Sequence, residues 1–562
     1  MAFTLGPRRG VYLDITEEMK KGAGPLSLEE VSLFETYDLI YRSLCALLFN
    51  YVPTSGHPGG SISSGRIVTG IVYDALDYDF SDPNREDADI ISYSAGHKAL
   101  GLYAMWALRN EAVRIGAPRL LPKDERLQLR LEDLLGFRRN PTTSTPLFKK
   151  FASKPLDGHP TPSTPFTRLS TGASGVGVAS SLGLALGAKD YYGASAPRVH
   201  IIEGEGGMTP GRVAESLTAG GTASLENAIL HVDWNQASID TNRVCPEDGR
   251  PGEYVQWSPV ELTYFHDWNV IFVPDGKNLQ QVFAAQRKAA ELDNGQPTAI
   301  VYRTTKGWQY GIEGKAAHGA GHKLCADGFF EAVAPFMEQT EGALPRCEPG
   351  QQRCDSGCNK DLVEECFWEA LGIVRRTLEN NRSLVDMLVQ RVRAARERLD
   401  KAERKPRDNA PNLGALFTTV EDATPPGELV LTPGTKTPLR AELGKALNYL
   451  NKASNGAVLV AAADLLASTG VNVSAKGFPE GYYSASTNPD ARLLSIGGIC
   501  EDAMSGILSG LSSFGRHIGA GSSYGAFIAP LGHIASRLHA IGNQARVEVS
   551  GGRYRPFILI CA

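Results

Sequence analysis

The sequence has little that would commit it to an extracellular, membrane or nucleic-acid setting. Cysteine is scarce, 9 of 562 residues, far below the density of a disulfide-stapled domain. No apolar run approaches the roughly 20 residues that span a bilayer, and the mean hydropathy is slightly negative at -0.19, which argues against a membrane-spanning protein. Residues 1–22 carry basic positions with no apolar stretch behind them, unlike a secretory leader, so a cytoplasmic protein is expected. Charge of one sign is also missing. Lys and Arg number 57 against 62 Asp and Glu, a net charge of -5, with no basic block large enough to track a phosphate backbone. Nucleic-acid binding loses its support.

Glycine is what the chain has in excess. Its 60 glycines among 562 residues make about 11%, against an average near 7%, so the backbone has many places to turn sharply or approach a ligand closely. The length fits roughly three or four units of about 150 residues. Apolar spacing predicts a helix from about Ser27 to Val52, stopping at Pro53 and delivering the chain to the loop SGHPGG. A small-residue helix over Ser174–Tyr192 precedes the buried strand VHIIEG. A helix over Arg212–Ala223 then leads to the strands AILHVDWN and NVIFV. Strand, helix, strand in this order predicts a parallel sheet with right-handed crossovers. Residues 1–335 form a first domain on this reading.

From 336 to 434 the composition changes. Cys347, Cys354, Cys358 and Cys366 crowd together and a charged helical run follows from Lys360 to Arg407, punctuated by prolines at its end. This stretch reads as an inter-domain connection with helices of its own. The cysteine spacings lack a CxxC pair, which argues against a zinc or iron–sulfur site. A second α/β domain over 435–562 is predicted from a helix at Arg440–Ala453, strands AVLVAAADL and RLLSIGG, helices over Glu501–Phe514 and around Ile528–Ile541, and a last strand PFILICA.

Three groups of residues could carry chemistry. The strand VHIIEG ends in Gly204-Glu205-Gly206-Gly207, and Asn235 ends the following strand. A carboxylate and an amide oxygen at the carboxyl edge of neighbouring parallel strands suit Mg2+ or Ca2+ on a diphosphate, with glycine N–H groups free to approach phosphate oxygens. The plainer alternative is a glycine turn with a capping carboxylate. Histidines form the second group: His57, His97, His159 and His318 each lie near glycine in a loop. One such histidine is commonly structural, whereas a convergent set suits proton transfer and hydroxyl recognition on a polyhydroxylated substrate. Glu501 is the third, opening a helix after an apolar segment and two glycines, where a dipole-complementing acid is commonplace.

In order, these segments resemble the transketolase family of thiamine diphosphate enzymes. SGHPG, SAGH, GHPTPSTPFTRLSTGASGVG, GEGGMTPGRVAESLTAG followed by DWNQASID, AADLLAS and GGICEDAMSGILSGL resemble successive family motifs. The resemblance implies an α/β fold of two thiamine diphosphate-binding-type parallel-sheet domains, the diphosphate domain first and the pyrimidine domain second. It implies that Glu205, Asn235 and the Ala237 carbonyl hold the metal. Gly172, Ser174, Gly204 and Gly206 would face the cofactor. Glu501 would contact the aminopyrimidine ring and promote the cofactor's nucleophilic form, with Tyr524 and Phe527 as an aromatic wall, Asp464 near the thiazolium and Glu215 linked to the Glu501 position across a dimer. His57, His97, His159 and His318 would serve the reacting carbon and substrate hydroxyls, and Arg440 and Ser468 the sugar phosphate. A homodimer and sugar phosphate substrates are implied.

The chain also departs from the family pattern. Glu205 stands for Asp, Pro210 for the motif's first Glu, Ala173-Ser174 for Pro-Leu, and Cys500 and Asp502 flank Glu501 in place of Arg and His. The strand PFILICA ends the sequence where the family continues into a further loop and third domain, so the second domain reads as truncated. Three functions are therefore expected in competition. The first is transketolase-type transfer of a two-carbon ketol unit. The second is a cofactor-binding component of a split transketolase, or a non-catalytic homologue needing a partner chain. The third is another acyloin-forming thiamine diphosphate enzyme, such as a deoxyxylulose phosphate synthase type.

Overall fold

The structure, a computed structural model, describes residues 5–22, 24–51, 56–138, 145–316, 321–340, 342–345, 360–421, 424–527, 529–531, 542–550 and 556–562. His318, Cys347, Cys354, Cys358 and most of the helix expected around 528–541 lie outside the described residues.

The first domain is built on six parallel strands: β1 (Tyr12–Asp14), β2 (Ile90–Tyr93), β3 (Val199–Gly204), β4 (Ala228–Trp234), β5 (Asn269–Val273) and β6 (Thr298–Arg303), in the spatial order β1-β5-β6-β4-β3-β2. β2 and β3 are buried at every position, which requires helices on both faces of the sheet. The expected strands VHIIEG, AILHVDWN and NVIFV are β3, β4 and β5; β1, β2 and β6 were not read from the sequence. The helices that matter for the site are α1 (Leu28–Tyr51), α2 (Ala99–Gly116), α3 (Val176–Tyr192) and α4 (Gly211–Thr222).

The charged run after residue 360 forms α5 (Lys360–Asn380) and α6 (Arg382–Ala402). Their apolar faces enter the same core as α1 and α2, with Phe367, Leu371, Leu388 and Val392 buried there. The stretch read as a connection is thus largely a layer of the first domain. Its arginines reach acids of that domain: Arg375 Nε lies 2.7 Å from Glu111, Arg391 Nη1 2.8 Å from Asp74 and Arg398 Nε 2.6 Å from Asp77. Cys366 is buried in this core.

The second domain adds α7 (Leu439–Ala453), α8 (Glu501–Phe514) and three parallel strands, β7 (Val458–Ala461), β8 (Ile518–Ser523) and β9 (Phe557–Cys561), in the order β7-β8-β9. The segment RLLSIGG is not a strand. Leu493 makes isolated bridges to Val460 and Tyr482, and Ile496, Gly497 and Gly498 then take φ of 49°, 77° and 102°, a left-handed run that ends extended pairing.

The two domains meet along α3 and α8. Methyl groups on Gly183 or Gly510 would collide with the backbone of Ile507 or Ser180, so the small residues of SSLGLALGA and of SGILSG let the helix axes approach closely. One apolar core, including Val178, Leu182, Ile507 and Leu511, runs across the junction.

Candidate functional site

The carboxyl ends of β3 and β4 open into a cleft of about 370 Å3 lined by His57, His97, Gly172, Ser174, Glu205 and Asn235, among others. Gly206, Gly204 and Ala237 also face it. Two close backbone approaches assemble this wall. A Cβ on Gly96 would sit 2.6 Å from the Gly172 nitrogen, and one on Gly172, whose φ is 137°, would sit 2.8 Å from the His159 ring. Glycine at both positions draws the His97 and His159 loops together. The His57 and His97 rings meet edge to face at 5.1 Å. Burial holds the His97 pKa well below the ordinary histidine value, and Lys98, His57, His159 and Lys306 push the same way. His97 is therefore neutral near pH 7.

Glu205 opens a short turn directly after β3 and is buried. Its Oε2 accepts the Asn235 N–H at 3.2 Å, while among the described residues Oε1 has no hydrogen-bond partner. Burial, with Asp233 adding to it, pushes the Glu205 pKa up to about 7. The Asn235 amide nitrogen donates to Asp233 and to the Ser63 hydroxyl, each at 3.2 Å, and its oxygen accepts the Ala237 N–H at 3.1 Å. The amide oxygen is thereby turned to the same end of the strand as Glu205. Among the described residues no three His, Cys, Asp or Glu side chains converge into a metal-binding group. The set available to a cation is one carboxylate, one amide oxygen and a backbone carbonyl, the set expected for Mg2+ or Ca2+ on a diphosphate.

Two lysines of the cleft were not read from the sequence. Lys98 Nζ lies 2.6 Å from Asp233, both side chains buried. Asp233 also accepts the Ser63 hydroxyl at 2.6 Å and the Thr304 hydroxyl. Lys306 donates to the Ser238 carbonyl at 2.9 Å, and burial lowers its pKa. The signal for Lys98 was a cation standing at the head of the apolar run ALGLYAMWAL, directly after His97.

The second-domain residues gather elsewhere. Glu501 begins α8, accepts the Ser523 hydroxyl at 3.2 Å and does not line the cleft. Tyr524 is half-buried, Phe527 is 48% exposed, and Asp464 is exposed with φ of 65°. These four stand at the carboxyl ends of β7 and β8 or at the start of α8. Arg440 and Ser468 are exposed, the Ser468 hydroxyl donating to the Leu465 carbonyl at 3.1 Å. Glu215 joins the two halves: its Oε2 accepts the Ala503 N–H in the first turn of α8 at 3.0 Å. Burial raises its pKa, with Asp502 and Glu501 adding to the rise. This bond lies inside one chain, because α4 and α8 pack side by side. Arg212 lies 3.5 Å from Asp502, so the Asp in the position of a family His pairs with a basic residue of α4. Cys500 is held up to about 11 by burial and the adjacent acids Glu215 and Glu501, and is thus a thiol.

Comparison with known proteins bears on this geometry. Residues 126–330 match the transketolase thiamine diphosphate binding domain. Transketolase of Mus musculus is 30% identical over 267 residues, covering 47% of this chain and 36% of the relative. The chain thus spans about a third of the length of such relatives. An apulose-4-phosphate transketolase subunit of Phocaeicola vulgatus is 24% identical over 301 residues, 52% of this chain and 89% of that protein. Among solved structures, transketolase from Leishmania mexicana superposes with a TM-score of 0.62 at 22% identity, covering 91% of this chain and 67% of that one. Transketolase from Campylobacter jejuni gives 0.61 at 19% identity, covering 91% and 68%. Gly172, Ser174, Glu205, Asn235 and Ala237 of the cleft lie within the matched residues, and the fold likeness to the transketolase structures extends over both sheets.

Proposed function

We propose that the cleft binds thiamine diphosphate with a divalent cation, Mg2+ or Ca2+, and that the chain transfers a two-carbon ketol unit between sugar phosphates. The observation that carries the reading is Glu205: a buried carboxylate with one oxygen unpartnered and its proton affinity raised by burial. A cation held by Glu205, the Asn235 amide oxygen and the Ala237 carbonyl would remove both costs. The side chain is one methylene longer than the family's Asp, and the flexible coordination of Ca2+ tolerates this more readily than the octahedron of Mg2+.

When bound, thiamine diphosphate supplies the electron sink for a two-carbon carbanion equivalent. The chain's own residues bind and orient. Gly204, Gly206 and Gly172 keep the cleft open to the diphosphate, and Ser174 faces it from the loop before α3. His97, neutral through burial, together with His57 and His159, offers ring nitrogens to substrate hydroxyls; His318 is assigned beside them on the family resemblance alone. Glu501, Asp464, Tyr524 and Phe527 lie outside the cleft of their own chain, so we assign them to the cleft of a second copy, with Arg440 and Ser468 taking the substrate phosphate. A homodimer follows from this reading.

One observation favours a second reading. The relative from Phocaeicola vulgatus is described as one subunit of its transketolase, and the likeness covers 89% of its length, which supports a partner chain that completes the site. Calorimetric titration with thiamine diphosphate and Mg2+, then addition of xylulose 5-phosphate and ribose 5-phosphate with product detection, separates the two. Binding with turnover supports the self-sufficient enzyme. Binding without turnover supports the partner-dependent form, and absence of binding overturns both.

A further inference from the structure

A second, smaller cavity opens at the amino end of β2, on the opposite edge of the sheet from the cleft. Tyr78, Arg85, Ile90, Arg109, Phe166 and Arg168 line it. Arg109 lies eleven residues along α2 from Lys98, about 16 Å at a helical rise of 1.5 Å per residue, so the cavity is separate from the site already described.

Arg109 is 3% exposed, and among the described residues its guanidinium makes no hydrogen bond or ion pair; its Nε is buried without a partner. Aromatic rings crowd around it instead, Phe166 at 4.3 Å, Trp106 at 4.4 Å, Phe80 at 5.1 Å and Tyr78 at 5.2 Å. Cation–π attraction offsets part of the desolvation of a guanidinium but satisfies none of its in-plane N–H groups. The Tyr78 hydroxyl, on a residue 2% exposed, is a second buried group without a partner among the described residues. Among the described residues Arg168 makes one side-chain hydrogen bond, to the Arg85 carbonyl at 2.9 Å, and no ion pair.

Each acid that shares the cavity accepts at least one hydrogen bond. Asp79 accepts the Ser81 N–H at 2.9 Å and its hydroxyl at 2.6 Å. Asp82 accepts the Asn84 N–H at 3.1 Å. Asp89 accepts the Arg198 N–H at 2.8 Å and the Asp77 N–H at 3.0 Å, and pairs with Arg404 at 2.8 Å. Arg85 is taken up by Asp87 at 2.8 Å and Asp400 at 2.5 Å. The buried groups of the cavity without a partner among the described residues are donors, the Arg109 guanidinium and the Tyr78 hydroxyl, and Arg168 beside them has N–H groups unused. A buried cation in this state is costly unless an anion meets it.

We propose that this cavity is a binding site for a small oxyanion, a phosphate or carboxylate group, held by Arg109 and Arg168 with the Tyr78 hydroxyl donating. Planar guanidinium groups bind such oxygens in pairs, and a phosphate facing two of them is expected to bind more tightly than a monovalent carboxylate. The proposal does not depend on the reading of the cleft.

The test is calorimetric titration of the full chain with inorganic phosphate and, separately, acetate at constant ionic strength, on the natural sequence and on Arg109→Met and Tyr78→Phe. The expected result is a saturable site that weakens at least tenfold in Arg109→Met and about threefold in Tyr78→Phe. Any phosphate taken up by the Glu205 cleft remains in both variants as a separate component. Tyr78→Phe removes one hydroxyl and keeps the ring, so it decides the matter if Arg109→Met does not fold. Titrations of the variants that match the natural sequence, or no saturable binding of either anion, overturn the proposal.

Discussion

Asp190, at the end of α3, receives both terminal nitrogens of Arg492 at 2.9 Å each. The pair joins the first domain to the second with both side chains buried. His517 Nε2 stands 2.8 Å from the same carboxylate and Arg407 Nη2 3.1 Å, so one acid gathers three basic residues from both sides of the junction. The Arg492 and His517 groups overcome the burial that would raise the Asp190 pKa and hold it well below the carboxylate range.

Asp190→Asn leaves the buried Arg492 guanidinium without its counter-charge, while Arg407 keeps Asp490, and is expected to destabilise the chain by about 3–5 kcal/mol. The sign with pH is fixed by the lowered pKa. A carboxylate whose folded pKa lies below its unfolded value contributes stability above about pH 4, lost as pH falls toward the folded value. Urea denaturation of both proteins should show the full difference at pH 7 and a shrinking one below pH 4. A difference that does not change with acid would contradict the assignment.

Gly510→Ala and Gly183→Ala test the helix contact. In an exposed helix interior this change stabilises by roughly 0.5–1 kcal/mol through lost unfolded-state freedom. Here the added methyl meets the backbone of the facing helix, so the sign should reverse, with losses of about 1–3 kcal/mol as for other overpacked cores. Thermal unfolding of each variant checks the direction.

Much of this was legible. The strands ending at Gly204 and Trp234 announced themselves as continuous apolar runs meeting glycine or a polar residue, and they fixed where Glu205 and Asn235 stand. What was not legible depended on contacts remote in sequence. α5 and α6 read as a charged connection because their arginines are visible in the sequence, whereas their partners Glu111, Asp74 and Asp77 lie about 260 to 320 residues away. The Lys98–Asp233 pair is hidden the same way, 135 residues apart. Leu493 to Ile496 looked like a strand on apolar content alone, and only the positive φ values of the following residues show why pairing stops. The sequence placed Glu501 at a helix start, and the folded chain adds that this residue does not line its own cleft.

Glu205 carries a pH dependence opposite to that of Asp190. Its folded pKa of about 7 lies above the usual value near 4.3, so without metal the ionised carboxylate costs stability that is felt as pH rises through about 7. Glu205→Gln should therefore melt higher than the natural sequence at pH 8 in the presence of a chelator, and the two should converge below about pH 4. Adding Mg2+ or Ca2+ should raise the melting temperature of the natural sequence at pH 8 and leave Glu205→Gln unmoved. A cation response retained in the variant would remove Glu205 from the proposed metal set.

Glu501→Gln separates binding from turnover. Glu501 does not line the cleft of its own chain and, among the described residues, makes one side-chain hydrogen bond, to Ser523 at 3.2 Å, so removing its charge should leave the fold and the proposed uptake of thiamine diphosphate with Mg2+ largely as they were. Its assigned task is to promote the cofactor's reactive form from the cleft of a second copy, and that step depends on a carboxyl group able to exchange a proton. The amide is nearly isosteric but cannot do so. Ketol transfer should fall by two or more orders of magnitude, with the loss in kcat rather than KM, because the missing interaction is made at the reacting group and not to the substrate. Deuterium exchange at the thiazolium carbon of added cofactor should slow in parallel. An active variant, or one whose loss appears only as weaker cofactor binding, would remove Glu501 from the chemistry and return it to the ordinary role of an acid at a helix amino terminus.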